Sequence, residues 1–259
     1  MNLTAVRSIM ASVLFGMVFL WRRKPFEWKN SRFFVIFGLL LSIMNYTFYL
    51  AIARTNVAIA IMLEYTAPVF VLLFMLARRK VRHPWRSAAI AIVSVIGCFL
   101  LVGGYRTGLF DQNKIGLLVG LGCGMAFAAY NMFGEQGHRL GLDTLTMTFL
   151  SFLVSAILWC LVSPGAIYLF TDLSLLPFLL FIGLFATVLP YFLYLEGLKR
   201  VPSFPATVIG MLDPVSAWLA AALILNEALE SLQVVGMLII SSLVLAVKRG
   251  GADDGAADI

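Results

Sequence analysis

Long apolar stretches separated by short polar segments dominate the chain. Nine of them are about as long as a membrane-spanning helix: 3–20, 33–53, 57–77, 87–103, 115–134, 144–162, 175–198, 204–225 and 231–247. About 20 apolar residues in a helix cross the roughly 30 Å hydrocarbon core of a bilayer. The pattern therefore predicts an all-α integral membrane protein, a polytopic helical bundle of nine spans.

The polar segments between these spans differ in charge. When the joins are counted alternately, fifteen Lys and Arg residues fall on one side of the membrane and three on the other. Cytoplasmic loops are enriched in basic residues, so we expect the chain to begin outside and to end inside the cell. Residues 248–259 are then a cytoplasmic tail. The three basic residues on the outer side are Arg54, Arg106 and Lys114.

The composition agrees with a membrane protein and argues against other classes. Hydrophobic residues make up 61% of the chain and charged residues 12%, whereas soluble domains are about 45–50% apolar. The net charge of +6 comes from basic clusters between spans, so nucleic-acid binding is not expected. The 3 cysteines and 2 histidines show no metal-ligand spacing, and no HExxH or GxSxG pattern occurs. We expect no metal, no cofactor and no catalytic residues.

Two stretches of the chain resemble one another in order. NYTFYLAIARTNVAIAIMLEYTAPV, from Asn45 to Val69, aligns with PYFLYLEGLKRVPSFPATVIGMLDPVSA, from Pro190 to Ala217. By the span count they cross the membrane in opposite directions, which predicts inverted repeats at 1–112 with four spans and 113–247 with five. Secondary transporters use such repeats to open alternately to each side. The aligned pairs are Tyr49 with Tyr194, Leu50 with Leu195, Arg54 with Lys199, and Pro68 with Pro214.

Four segments carry a resemblance to a known family: TAVRSIMASVLF, LEYTAPVFVLL, GCGMAFAAYNMF and LNEALESLQVVGMLII. Through them nearly the whole chain resembles the drug/metabolite transporter superfamily, and in particular its EamA-type permeases. The resemblance implies two inverted repeats of five helices each and an efflux carrier of the bacterial inner membrane. The first helix of that pattern is missing ahead of Met1, so the chain is either truncated at its start or works with nine spans.

Two acidic residues lie deep in apolar spans, on the two aligned helices. Glu64 and Asp213 precede the paired prolines and fall near the middle of the membrane. An ionisable group there costs about 3 kcal/mol on insertion scales and marks an ion or substrate path by default. Because an apolar medium disfavours the charged form, either acid is a candidate proton carrier. The alternative is that neighbouring groups satisfy each acid, which then only helps packing.

The paired prolines are the second candidate feature of these helices. Pro68 and Pro214 each lack a backbone N–H and push away the carbonyl four residues earlier. The carbonyls released are those of Glu64 and Gly210, and a carbonyl beside an acid can bind a cation or a polar ligand. An ordinary kink, re-satisfied by neighbouring groups, is the alternative.

Further polar side chains on the spans are candidates to line a substrate cavity. Aromatic walls with a few polar tips suit an organic solute, although aromatic stripes also serve packing and interfacial belts. Arg7 either counters an acid or a substrate carboxylate, or extends to the outer headgroups. The candidate lining residues are Asn45, Tyr46, Tyr49, Tyr130, Asn131, Tyr191 and Tyr194.

A ridge of small residues follows one face of the fifth predicted span. Gly116, Gly120, Gly124 and Ala128 recur at every fourth position. Such a ridge lets another helix approach closely, so its expected role is helix packing. Its partner is either a helix of the same chain or a second copy in a homodimer.

These features predict a secondary transporter for a small molecule. The expected solute is a neutral or zwitterionic metabolite such as an amino acid, or a drug-like compound, with export as the expected direction and proton coupling as a hypothesis. Phosphorylated solutes call for Lys or Arg in the cavity, and Arg7 is the sole cation well inside a predicted span. A non-transporting scaffold or receptor is the alternative, but it would not require two midspan acids.

Overall fold

The structure, a computed structural model, is helical and has no strand in the residues it describes. These residues are 2–23, 30–79, 81, 83–106, 113–170, 174–224, 226 and 230–254. A 3-10 helix covers Pro164–Phe170, and a π-helical turn covers Leu184–Val188. The α-helices are α1 (Asn2–Trp21), α2 (Ser31–Arg54), α3 (Val57–Glu64), α4 (Ala67–Ala77), α5 (Pro84–Leu101), α6 (Lys114–Arg139), α7 (Thr144–Val162), α8 (Leu176–Gly183), α9 (Leu189–Gly197), α10 (Ser203–Gly210), α11 (Leu212–Ile224) and α12 (Ser231–Asp254).

The nine predicted spans are confirmed as helical segments. Within the described residues, 8 segments are long and apolar enough to cross a membrane, and the shorter apolar helix Ser231–Val247 accounts for the ninth. Helices satisfy every backbone hydrogen bond internally, which is the condition for crossing a bilayer. The chain is therefore a multi-pass integral membrane protein.

Three of the spans are interrupted rather than continuous. Val57–Ala77 breaks into α3 and α4 at Tyr65 and Thr66, and Ser203–Ile224 breaks into α10 and α11 at Met211. The third, Leu176–Gly197, contains the π-helical turn between α8 and α9. A proline lies in the first turn of the helix that follows each interruption. These prolines are Pro68, Pro214 and Pro190. At the breaks before α4 and α11 its missing N–H costs no intrahelical bond, because the first N–H groups of a helix have no partner within it.

The chain divides into two compact units, and each takes helices from both predicted repeats. The first unit consists of Met1–Tyr46 and Met132–Arg200, and the second of Thr47–Asn131 and Val201–Ile259. The division falls inside α2 and inside α6, so these two helices contribute to both units.

In the first unit, α1 packs along α7. Ring pairs link the two helices, with centroids 5.9 Å apart for Phe15 and Phe152 and 5.0 Å for Phe19 and Phe149. The hydroxyls of Ser8 and Ser155 share a buried hydrogen bond of 3.0 Å. Polar groups buried in a membrane protein are satisfied in this way because lipid offers them no partner.

In the second unit, α5 packs closely against α12. Gly97 and Gly236 make the approach possible, because a Cβ on Gly236 would lie 2.5 Å from the backbone nitrogen of Leu101. A Cβ on Gly97 would likewise lie 2.9 Å from the side chain of Ile239. Small residues at such crossings let helix backbones meet at van der Waals distance.

Candidate transport site

The two interrupted spans of the second unit carry the midspan acids at their breaks. Glu64 is the last residue of α3 and is half-buried, whereas Asp213 is the second residue of α11 and is exposed. Tyr65, the first residue after α3, is buried and donates its hydroxyl to a carboxylate oxygen of Asp213 at 3.4 Å. One hydrogen bond therefore joins the two breaks, although its partners are 148 residues apart in the chain.

The helix ends around the two acids are of opposite sign. Aligned peptide dipoles place partial positive charge at a helix N-terminus and partial negative charge at a C-terminus. Asp213 lies in the first turn of α11, where a negative charge is stabilised, and Glu64 lies at the end of α3, where it is opposed. The two carboxyl groups thus occupy different electrostatic environments. Such a difference allows two acids of one site to perform different roles.

The predicted small-residue ridge of α6 packs against the first of these breaks. A Cβ on Gly120 would lie 2.5 Å from the side chain of Leu63, and one on Gly124 would lie 2.6 Å from the Leu63 carbonyl oxygen. That carbonyl also accepts the Thr66 hydroxyl at 2.6 Å, which satisfies it within the break. Gly116 lies near Thr55 and Arg54, and Ala128 is buried. The ridge thus faces helices of its own unit.

The other candidate residues of the second unit are less closely linked to the break. Tyr130 and Asn131 are almost completely buried, at 1% and 0% exposed, and the Asn131 amide donates to the Phe127 carbonyl at 2.8 Å in its own helix. Tyr49 is half-buried, with its ring centroid 5.6 Å from that of Phe48. Pro68 and Pro214 are buried, and Gly210 ends α10 at the second break.

In the first unit, Arg7 binds the π-helical turn. Its Nε donates to the Thr187 hydroxyl and its Nη2 to the Ala186 carbonyl, each at 2.9 Å. The Thr187 hydroxyl in turn donates to the Ile182 carbonyl at 3.1 Å. The guanidinium of this half-buried residue therefore makes two charge-assisted bonds to the protein itself.

Pro190 explains why the Ala186 carbonyl accepts a side chain. In a regular α-helix this oxygen would accept the N–H of the residue four positions later, which is position 190. Proline has no N–H to give, so the Arg7 guanidinium takes the place of the missing backbone donor. Together Arg7, Ala186, Thr187 and Pro190 form what we call the Arg7 clamp.

One turn beyond Thr187, Tyr191 meets Asn45 in the same unit. The Asn45 amide donates to the Leu41 carbonyl at 2.9 Å and lies 3.4 Å from the Tyr191 hydroxyl. The Tyr191 ring stands edge-on to Phe152, with centroids 5.1 Å apart. Tyr46 contacts Trp159, with ring centroids 5.8 Å apart, and Tyr194 is half-buried.

Each unit therefore gathers its own part of the predicted set. The first brings Arg7 to the π-helical turn and Asn45 to Tyr191, and the second brings Asp213 to Tyr65, the neighbour of Glu64. In the described part of the chain, no group of three or more His, Cys, Asp or Glu side chains is placed to hold a metal ion. The arrangement suits the binding and movement of a polar solute.

Sequence reasoning missed Tyr65 and Thr187. Tyr65 carries a detectable signal, because it follows a midspan acid within a proline-interrupted span. Thr187 carries a weaker one, because it lies three residues before Pro190 in a span that also contains polar Tyr191. Neither partner can be read from the sequence, since each contact joins distant segments.

Comparison with known proteins identifies the relatives of the chain. The EamA-like transporter family matches residues 1–103 and 114–247. The threonine/homoserine exporter RhtA of Salmonella typhimurium (strain SL1344) is 30% identical over 241 residues, covering 91% of this chain and 77% of the relative. The uncharacterized transporter YcbK of Bacillus subtilis (strain 168) is 26% identical over 245 residues, covering 89% of this chain and 77% of the relative.

A solved structure supports the same fold. One crystal structure of a protein superimposes with a TM-score of 0.71 at 17% identity, covering 95% of this chain and 88% of that chain. The family match covers most of the chain, and the named relatives are transporters rather than enzymes. The resemblance to EamA-type permeases is therefore confirmed, and the chain belongs to the EamA-like transporter family.

Proposed function

We propose that this transporter exports a small zwitterionic metabolite, an amino acid of the threonine or homoserine kind, by alternating access. The observation that carries the proposal is the pair of interrupted helices in the second unit, each with a carboxylic acid at its break. Transporters bind solutes near the membrane midplane at such breaks, where helix ends and polar side chains replace water. The named exporters among the relatives point to the same class of solute.

The state of Arg7 supports a solute without a phosphate group. Phosphate recognition normally employs Arg or Lys side chains directed at the ligand. Arg7, which lies within the span Asn2–Trp21, gives two of its donors to Thr187 and Ala186 instead. A zwitterion, whose charges largely cancel, demands less positive charge from the protein.

We propose proton coupling through Glu64 or Asp213. The acid that couples transport alternates between a charged and a neutral form as the site opens to water and closes again. Protonation on one side and release on the other would let a pH gradient drive the solute. Reconstituted protein preloaded with radiolabelled L-threonine or L-homoserine is the direct test, with efflux compared in the presence and absence of a pH gradient.

For Glu64→Gln, we expect efflux that no longer responds to the pH gradient, because the amide cannot exchange a proton. Efflux down the solute's own gradient should continue in this variant. Glu135→Gln is the matched control, since Glu135 pairs with Arg139 near the end of α6. If Glu64→Gln keeps the full response to the pH gradient, Glu64 does not carry the coupled proton. If liposomes with wild-type protein release neither amino acid, the proposed solute class is wrong.

We also infer that the chain lies in a bacterial inner membrane with its C-terminus in the cytoplasm and its repeats 1–112 and 113–247 inverted. The asymmetry of the basic residues supports this orientation. Fusion of green fluorescent protein to the C-terminus should give fluorescent cells, and fusion of alkaline phosphatase there should give inactive phosphatase. The opposite pattern of reporter activity would contradict the assigned orientation.

A further inference from the structure

We propose that Asp213 and Tyr65 form the subsite that binds the ammonium group of the transported solute. The inference rests on the proposed function, because it assigns one charged end of a zwitterion to named atoms. The Asp213 carboxylate would accept N–H bonds from the ammonium group, and Tyr65 would hold that carboxylate in place through its hydroxyl, 3.4 Å away.

The exposure of Asp213 is the first argument. Asp213 lies halfway along the 22-residue span Ser203–Ile224, and its side chain is exposed. An ionisable group exposed to lipid at that depth is strongly disfavoured, and such groups face the interior of a bundle or a water-filled space instead. The open side of Asp213 therefore faces water, where a dissolved solute can reach it.

The second argument is the missing counter-charge. Within the described residues, Asp213 forms no ion pair with a Lys, Arg or His side chain, and its carboxylate contact is the Tyr65 hydroxyl. Acids inside membrane proteins normally pair with a cation or a backbone group. The N-terminal end of α11 stabilises the negative charge but contributes no cation. A cation brought by the solute would complete the pair.

The chemistry around Asp213 favours an ammonium group over a metal ion. Hard cations such as Ca²⁺ require six or more oxygen ligands, and the described residues hold no cluster of three acidic or metal-ligating side chains. An ammonium group requires fewer fixed ligands, and it is also attracted to the faces of aromatic rings. Tyr65 is buried, with its ring edge-on to Phe127 and centroids 6.3 Å apart, and it contacts the carboxylate through its hydroxyl.

The division of labour between the acids follows from this assignment. Asp213, at the positive end of α11, keeps the negative charge that binds the solute. Glu64, at the negative end of α3, is then the acid that carries the proton. The Tyr65 hydroxyl links the solute-binding Asp213 to the break that carries Glu64, the neighbour of Tyr65 in the chain.

Transport of matched solutes by reconstituted protein tests the subsite. L-homoserine is compared with 2,4-dihydroxybutanoate, which has a hydroxyl in place of the ammonium group. We expect wild type to prefer homoserine, and Asp213→Asn to raise the KM for homoserine by roughly tenfold or more while leaving that for dihydroxybutanoate unchanged. Tyr65→Phe leaves the Asp213 charge unchanged but removes the hydroxyl that holds the carboxylate in place, so we expect a smaller rise in the KM for homoserine. Ser242→Ala is the control, because the exposed Ser242 hydroxyl donates only to the Ile239 carbonyl of its own helix among the bonds described.

A binding measurement separates failure of the subsite from failure of the proposed function. Thermal unfolding of purified protein is followed with L-homoserine, with 3-amino-1-propanol, which has the ammonium but no carboxylate, and with 2,4-dihydroxybutanoate. Stabilisation by both amines in wild type but not in Asp213→Asn supports the subsite, even if no amino acid is transported. An unchanged KM and unchanged stabilisation in Asp213→Asn, or stabilisation of wild type by none of the amines, overturns it.

Discussion

The Arg7→Gln variant is expected to unfold at a clearly lower temperature than wild type. The substitution removes the two donors that satisfy the Thr187 hydroxyl and the Ala186 carbonyl. Bonds to charged groups contribute about 1.5–3 kcal/mol each, and the orphaned carbonyl lies within an apolar span, so we expect a loss of about 2–4 kcal/mol. Arg7→Lys should recover only part of it, because an ammonium group lacks the planar fork that reaches both acceptors. Thermal unfolding of the purified protein in detergent measures the loss.

A second substitution tests whether Arg7 binds the Ala186 carbonyl because Pro190 lacks a backbone N–H. Pro190→Ala restores a backbone N–H that can reach the Ala186 carbonyl, so Arg7→Gln should cost about 1 kcal/mol less in that background. Arg54→Gln is the matched control, because Arg54 is exposed at the end of α2. An equal cost of Arg7→Gln with and without Pro190 would show that the guanidinium does not replace the missing donor.

Gly124→Ala is expected to destabilise the protein and Gly122→Ala to stabilise it, although the two positions lie two residues apart in α6. A Cβ on Gly124 would meet the Thr66 hydroxyl and lie 2.6 Å from the Leu63 carbonyl oxygen, whereas nothing lies within 4 Å of one on Gly122. Overpacking of this kind costs about 1–3 kcal/mol. Replacing an unconstrained helical glycine by alanine gains about 0.5–1 kcal/mol.

The effect of Gly124→Ala should extend to transport. The added methyl group presses on the break that carries Glu64 and Tyr65, so we expect slower homoserine efflux from liposomes that hold equal amounts of folded protein. Gly122→Ala should transport at the wild-type rate. Equal stability and equal efflux in the two variants would show that α6 does not support the break as tightly as the structure indicates.

Much of the candidate site was accessible from the sequence. Glu64 and Asp213 stand out because charged residues are rare in apolar spans, and the proline after each marks an interrupted helix. The same proline rule, applied to Pro190, would have drawn attention to the Ala186 carbonyl. The repeat alignment paired Pro68 with Pro214, whereas Pro190, the first residue of the second stretch, falls opposite Asn45 and has no proline partner.

Other residues could not be placed from the sequence, because their chemistry depends on neighbours. Tyr65 resembles any interfacial or packing tyrosine until its hydroxyl is seen on Asp213. Arg7 was equally consistent with a substrate carboxylate or the outer headgroups, and its contact with Thr187 joins residues 180 positions apart. Gly124 was part of a ridge whose partner was open, and only the packed helices show it against Leu63 and Thr66.

The sequence by itself determined the spans and the position of the two acids along them. It could do so because a bilayer requires a long apolar helix for every crossing, and that requirement is local in the chain. The tertiary structure decided which donor replaces the one missing at Pro190 and which hydroxyl meets Asp213. These outcomes depend on hydrogen bonds and close packing between distant segments, which no local pattern encodes.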